Sequence, residues 1–472
     1  MVVRLRVLGS RVKVTGDVPV EIHQKLDALM QFKPEGIEYS DKVKADEWDG
    51  IIHLYGNREF PVGLLERVEM LFMLNDIQYE VVDTREDLGG RNPIKTTIVL
   101  RDYQERIVKD AIRQKSGLIP VPTGGGKTLM AAEIIARIGL PSALFIVPTV
   151  EILHQSVDVF RRFLKCSVGW IGDNGEEQGP DDRILVITWQ TISSGLRKKE
   201  TRPKWRDFLA QYSLVIADEV HHYSAENLFE VAMYCNSRYR YGLSGTMFRA
   251  DASEIKFYAA FGECIKGITA SELIDLKYLV PPKIRFVGTK PMMFGRRETW
   301  QEVYKDAVIE NGYRNEQVVT EAVRLANRGR RTLVLVTQIR HGQILKHMIE
   351  DRLRDYPDIR FAFVYSTAKE RPDIVEGFRK GEINLLVATQ IFDEGVDVPE
   401  IEAIVLAGAG KSQVKAVQRV GRGLRICPEI KKEDVEIVDF CDSCKYLWDH
   451  SHERYEIYRR EPKFVITGDV PK

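Results

Sequence analysis

At 472 residues the chain is too long for one hydrophobic core, and roughly three domains of about 150 residues each are expected. An apolar share of 44% and a charged share of 29% exclude a disordered chain, and 69 basic against 69 acidic residues exclude a basic exterior, so any nucleic-acid binding must use local grooves. The opening MVVRLRVLGSRVKVTG lacks the apolar core of a signal peptide, no stretch reaches the ~18 apolar residues of a membrane span, and cysteines at 166, 235, 264, 427, 441 and 444 are too scattered for a disulfide framework; a cytoplasmic setting is expected.

Residues 4–14 alternate, with Leu5, Val7, Val12 and Val14 on one face and Arg4, Arg6, Arg11 and Lys13 on the other. The Gly9-Ser10 pair between them has turn chemistry, so a β-hairpin with a basic outer face is predicted. Ile22, Leu26, Leu29 and Met30 have helical spacing, and IIHLY followed by FPVGLLERVEMLFML reads as a strand and then a helix. The polar, Gly-rich stretch 83–93 reads as a linker, closing a small α+β domain over 1–90.

Beyond residue 94, short apolar runs alternate with helical segments: SALFIVP, RILVITW and SLVIAD, then TLVLV, INLLVAT, EAIVLAG and VEIVDF. Buried strands alternating with helices predict α/β architecture, with parallel sheets covered on both faces. The runs form two groups, expected as lobes over 94–275 and 276–445, with a C-terminal helix and tail over 446–472.

The run VPTGGGKT at 121–128 has the chemistry of a phosphate loop. Thr123, Gly124, Gly125 and Gly126 let the backbone close on phosphate oxygens, Lys127 adds a point charge, and Thr128 offers a hydroxyl to Mg2+. Val121 stands where Gly or Ala is usual. Further on, an apolar run ends in Asp218-Glu219, two carboxylates that are costly at a buried strand end unless they hold a metal or do chemistry. Asp218 suits Mg2+, and Glu219 suits polarising the water that attacks the γ-phosphate of ATP. A solvated strand end is the plainer alternative.

These residues resemble the helicases of superfamily 2, whose motifs recur in family order over 100–425. Leu100-Arg101-Asp102-Tyr103-Gln104 resembles the Q motif, in which Gln104 would read adenine. DEVH at 218–221 resembles the second motif. LSGT, with Ser244 and Thr246, resembles the third, which couples ATP state to the nucleic-acid site. ATQIFDEGVDVPEIE resembles the fifth motif, placing Gly395 and Asp397 near the nucleotide and Thr389 at a backbone phosphate. QRVGRGLR resembles the sixth, with Gln418, Arg422 and Arg425 on the γ-phosphate.

The resemblance implies two tandem RecA-like lobes, ATP and Mg2+ as ligands, and ATP bound between a lobe carrying Lys127 and Glu219 and one carrying Arg422 and Arg425. It also implies nucleic-acid contacts at Thr149, after Pro148, at Trp189, Gln190 and Thr191, and at Thr337, Gln338 and Thr389, where small polar groups suit phosphates without reading bases. The basic run 197–206, with Trp205, reads either as a further DNA contact or as a solvated loop.

DEWDGIIHLYGNREFPVGLLERV and VGWIGDN are similar to stretches of the phage UvsW helicases and their XPB-like relatives. That similarity implies a monomeric enzyme on branched DNA, moving 3′→5′ in the cytoplasm (the host's, for a phage protein), with single-strand-binding or recombination proteins as partners. Arg249-Ala250-Asp251 keeps two of the three residues of the XPB Arg-Glu-Asp element, and no insertion long enough for an XPB-like thumb is evident. The net-acidic first 90 residues act either as a duplex contact through the hairpin face or as a cap on the first lobe.

An RNA helicase and a restriction-type translocase subunit share every ATPase residue above and remain alternatives. Cys441, Cys444, His450 and His452 raise a zinc site, against which the single residue between the histidines counts.

Overall fold

The computed structural model describes residues 2–471 apart from 35, 36, 38–42, 44–46, 86–91, 180, 246–253, 296, 297, 366–369, 390–397, 410–420 and 422. Two compact units emerge: Met1–Val121 with Gly126–Gly267, and Pro122–Gly125 with Ile268–Lys472. Among the described residues no helix is long and apolar enough to cross a membrane.

The first unit opens with the expected hairpin. Strands β1 (Val3–Leu8) and β2 (Arg11–Thr15) pair antiparallel, burying Leu5, Val7, Val12 and Val14 and exposing the basic residues. A helix over Val20–Leu29 buries Ile22 and Leu26, and the short strands β3 (Gln31–Phe32) and β4 (Ile52–His53) pair with each other. Strand β5 (Glu59–Pro61), a helix over Leu65–Leu74 and β6 (Tyr79–Asp83) complete a sheet of order β5-β2-β1-β6. The basic face is partly neutralised from within this sheet, since Arg4 pairs with Glu80 and Lys13 lies 3.8 Å from Glu59.

The same unit contains a second sheet of strands β7 (Ser116–Pro120), β8 (Ala143–Val147), β9 (Val168–Gly172), β10 (Gly175–Glu177), β11 (Ile184–Thr188), β12 (Leu214–Ala217) and β13 (Tyr239–Ser244). Its order is β10-β9-β11-β8-β12-β13-β7, parallel except for β10. Strands β8, β11 and β12 are buried throughout, which is why they read as continuous apolar runs; β13 is buried too but carries Arg240 and so does not.

The small domain is seated on this lobe through the helices Ala225–Tyr234 and Ile255–Phe261. Its core includes Ala259, with Phe229, Ile255 and Tyr258 packed against it. At Gly63 there is no room for a side chain: a Cβ would lie 2.6 Å from the Ala259 carbonyl oxygen and closer still to that of Tyr258. Arg67 pairs with Glu263 at 2.5 Å and lies over the Tyr258 ring, while the Ser10 hydroxyl donates to the Met233 carbonyl at 2.7 Å. The ends of the expected linker are tied down too. Thr84 donates to the Val7 carbonyl, Arg85 to that of Ser237, and Asn92 N–H to that of Gly139. Only its middle, 86–91, lies outside the described residues.

The second unit holds strands β14 (Pro282–Gly288), β15 (Thr332–Leu335), β16 (Phe361–Val364), β17 (Leu385–Ala388), β18 (Ala403–Leu406), β19 (Val435–Cys441) and β20 (Val465–Gly468). All pair parallel in the order β16-β17-β15-β18-β19-β14-β20. Two features differ from the sequence expectation. The helix Ala270–Asp275 groups with this unit, its first amides bonded to the Glu461 carboxylate. Residues 446–472 are more than a tail: after the helix Leu447–Arg459, β20 adds an edge strand to β14.

Candidate functional site

Apart from Gln104, the candidate chemistry attached to the first unit's sheet stands at the carboxyl ends of parallel strands, where open α/β sheets place their ligands. The phosphate loop follows the edge strand β7, and Asp218-Glu219 follows β12, which lies between β8 and β13. Gly124 and Gly126 take φ of 85° and 81°, left-handed conformations that glycine adopts without strain. Gly126 caps the helix Lys127–Ile138, whose N-terminus favours an anion. Val121 fits its unusual place because it is buried and its carbonyl accepts from Lys127 Nζ at 3.3 Å.

Lys127 also reaches Glu219, 3.1 Å away, with both side chains largely buried. Burial raises the Asp218 carboxyl above the usual range, and the neighbouring Glu219 charge adds to that. Burial pushes Glu219 the same way, but Lys127 and His221 outweigh it and hold the carboxyl below its ordinary value. Glu219 has φ 48° and ψ 52°, a left-handed conformation whose cost in a non-glycine residue is common at functional sites. One acid is thus kept ionised by a cation, and its buried neighbour is destabilised as an anion until a positive charge arrives. With the Thr128 hydroxyl at the start of the adjoining helix, this donor set fits Mg2+ beside the phosphates of ATP.

Hydrogen bonds link this pair to the end of β13. Gly245 N–H donates to Glu219 Oε2 at 3.2 Å, His221 Nδ1 lies 3.0 Å from the Ser244 hydroxyl, and Val121 N–H donates to the Ser244 carbonyl at 2.8 Å. Ser244 is fully buried; Thr246 lies outside the described residues, as does Arg249-Ala250-Asp251.

Gln104 is buried, and its Oε1 accepts from Arg101 N–H at 3.0 Å. A Cβ on Gly126 would collide with its amide nitrogen, so the Q-motif side chain lies directly against the phosphate loop. A contact that sequence reasoning missed braces the two helices involved. Arg137, on the phosphate-loop helix, grips Glu105 of the helix Asp102–Gln114 with bonds of 2.8 and 2.6 Å, and Glu133 at 2.8 Å. The hydrogen bonds from Arg137 lower Glu105 to about 2. Only the Glu133–Arg137 spacing was visible in sequence.

The expected nucleic-acid residues of this unit gather at the ends of the adjacent strands β8 and β11. The Thr149 hydroxyl caps the helix Val150–Phe163, accepting from Ile152 N–H at 3.4 Å. The Gln190 amide donates to the Pro148 carbonyl at 2.7 Å, Thr191 and Thr188 share a hydroxyl hydrogen bond of 2.8 Å, and Trp189 packs edge-on to Tyr223. In the second unit, Thr337-Gln338 and Thr389 follow the paired strands β15 and β17. Gln338 is exposed, Thr389 is buried, and Thr337 hydrogen-bonds Tyr304. From Arg202 onward the basic run is a helix, Arg202–Ala210, and not a solvated loop: Trp205 packs beneath Gly195, Arg202 donates to the Leu196 carbonyl and Arg206 covers Tyr234.

Within the second unit, which includes residues 122–125, Arg425 lies at Gly124: a Cβ there would be 3.5 Å from the arginine Cγ. Gly395, Asp397, Gln418 and Arg422 lie outside the described residues. Among the described residues, Cys441, Cys444, His450 and His452 included, no group of three His, Cys, Asp or Glu is placed to hold a metal ion.

Comparison with known proteins agrees with this geometry. The family described as type III restriction enzyme, res subunit, matches residues 97–249, and the helicase conserved C-terminal domain matches 314–427. The DNA 3'-5' translocase XPB2 of Sulfurisphaera tokodaii is 28% identical over 425 residues, covering 83% of this chain and 90% of its own. The ATP-dependent DNA helicase uvsW of Enterobacteria phage T4 is 23% identical over 434 residues, covering 85% and 83%. A fragment of a putative HsdR subunit of a type I restriction enzyme from Vibrio vulnificus shares the fold, with a TM-score of 0.59 and 21% identity over 79% of this chain and 69% of that one.

Proposed function

This chain belongs to the superfamily 2 helicases, and from that premise we propose that it is an ATP-dependent DNA helicase and translocase acting on branched DNA. Its tasks on this reading are fork and displacement-loop unwinding, branch migration and strand annealing, in recombination, repair or replication restart. It moves 3′→5′ as a cytoplasmic monomer alongside single-strand-binding or recombination proteins. The observation that carries the motor is the network joining Val121, Lys127, Glu219, His221 and Ser244–Gly245, which ties the phosphate loop to the segment expected to sense it. The branched-DNA reading is supported by the phage relative that spans 85% of the chain and by the UvsW-like stretch 46–68.

The chemistry follows from the pairings. Incoming phosphates compete with Glu219 for Lys127, so ATP binding frees the carboxylate that polarises the attacking water. Asp218 and Thr128 would hold Mg2+, which would supply positive charge at the phosphates of ATP. Gln418, Arg422 and Arg425 stabilise the charge that develops on the γ-phosphate, and Gly395 and Asp397 border the nucleotide. Thr149, Trp189, Gln190, Thr191, Thr337, Gln338 and Thr389 hold the strand by its backbone.

The test is ATP turnover with no nucleic acid, with single-stranded DNA, with forked or four-way-junction DNA, and with structured RNA. Strongest stimulation by the branched DNA is expected. Equal or greater stimulation by RNA would keep the motor and reject the DNA assignment.

A further inference from the structure

The loop after β19 is anchored more firmly than a closing turn requires. Arg314, fully buried, donates to both oxygens of Asp442 at 2.8 and 3.1 Å and to the Ala407 carbonyl at 2.6 Å. Arg454 grips Asp439 with bonds of 2.8 and 2.9 Å, and Tyr458 donates to the same carboxylate at 3.1 Å. Buried ion pairs seldom improve on apolar residues of the same volume in stability; what they provide is fixed position.

The segment they fix is Ser443–Asp449. Tyr446 takes φ 65° and ψ −43°, a conformation rare in a residue with a side chain, at the start of the helix Leu447–Arg459. Lys445 holds it there, donating to the carbonyls of Gly295 (3.0 Å) and Glu298 (2.8 Å) with its ammonium 4.8 Å from the Tyr446 ring centre. Ser443, Cys444, Lys445, Tyr446, Trp448 and Asp449 line an open cavity of about 540 Å3.

A row of rings leads from this cavity to a residue already implicated in strand binding. Trp300 meets Tyr446 edge-on at 6.2 Å and packs on Tyr304 at 5.2 Å, and the Tyr304 hydroxyl bonds that of Thr337. We propose that the cavity receives an unpaired base of the bound DNA strand, stacked against Trp448 and Tyr446; this rests on the reading of Thr337 as a backbone contact. The cavity is open to solvent and presents Tyr446 and Trp448, whose rings match the flat face that every base presents. With the backbone on the Thr337 side, a base turns inward. The cavity extends a track that grips only the backbone with a subsite that takes bases without choosing among them.

The experiment measures equilibrium binding of a single-stranded DNA oligonucleotide and of its abasic counterpart, which keeps the phosphates and lacks the bases. Wild type, Trp448→Ala and Trp448→Phe are compared. Stacking lost with one ring predicts about tenfold weaker binding of the base-bearing strand by Trp448→Ala, no more than about a twofold change for the abasic strand, and recovery of most of the loss in Trp448→Phe. Equal weakening on both strands, or on neither, overturns the stacking site. If wild type binds neither strand, the DNA reading falls as well; if wild type binds and Trp448→Ala matches it, the stacking site fails alone.

Discussion

Lys127 and Glu219 neutralise each other across 3.1 Å in a largely buried site. Replacing the lysine therefore does two things at once. It removes the charge that meets the phosphates, and it leaves two adjacent buried carboxylates without their lysine, with only His221 beside Glu219. Lys127→Met is expected to cut ATP turnover by about 10²- to 10³-fold or more. Breaking a buried pair from one side costs on the order of 3–5 kcal/mol, so the variant should also melt earlier. Adding Glu219→Gln to it should restore part of the lost melting temperature and none of the turnover. A double variant no more stable than Lys127→Met would show that the pairing carries no energy.

The brace between Glu105 and Arg137 gives a pH-dependent term. The folded carboxyl lies at about 2 against an ordinary 4.5, so its contribution is present in full above about pH 4.5 and is lost as pH falls towards 2. Both side chains are a third exposed, which limits the bidentate pair to about 1 kcal/mol. Denaturant titrations should find Glu105→Gln less stable than wild type by that amount near neutrality, with the difference closing on acidification. A gap that stays constant down to pH 3 would exclude the brace.

Arg422→Ala and Arg425→Ala separate binding from turnover. Each is expected to retain nucleotide affinity within a few-fold, measured by titration with a fluorescent analogue, while turnover falls about 10³-fold. Joint loss of affinity and turnover would reject the assignment of these residues to the developing charge.

Gly63 tests the seat of the small domain. Gly63→Val forces a side chain onto the Tyr258 and Ala259 carbonyls, backbone atoms that have no rotamer to change. An overpacking penalty of about 1–3 kcal/mol is expected, seen as a lower melting temperature and faster proteolysis within 225–263. Deleting 1–90 outright is a poorer probe of DNA recognition, because it uncovers Phe229, Ile255, Tyr258 and Ala259 together.

The candidate catalytic residues were legible because their motifs are local. VPTGGGKT directly follows β7 and SLVIADE carries β12 with both carboxylates, and buried strands beside them read as apolar runs. The hairpin face at 4–14 was legible for the same reason, its alternation matching the observed burial residue for residue. What escaped was set by distant partners. β20 is short and mostly exposed, so nothing in its own residues announces a strand until it pairs with β14. Glu105 and Arg137 are 32 residues apart, and nothing in Gly63 announces the Tyr258 carbonyl. The same applies to Tyr304, whose hydroxyl orients Thr337 from an element the sequence reading did not place.

The two helices that carry the small domain, Ala225–Tyr234 and Ile255–Phe261, each follow a segment of ATPase chemistry: DEVH in one case and LSGT in the other. The accessory domain and the motor are consequently not interchangeable modules. A chimera that imports the first 85 residues of a relative must import its 225–263 region as well, or the rings and carbonyls on one side will meet the wrong surface on the other. Inheritance in this protein should therefore run along the contact and not along the linker, with changes at Arg67 accompanied by changes at Glu263 and Tyr258.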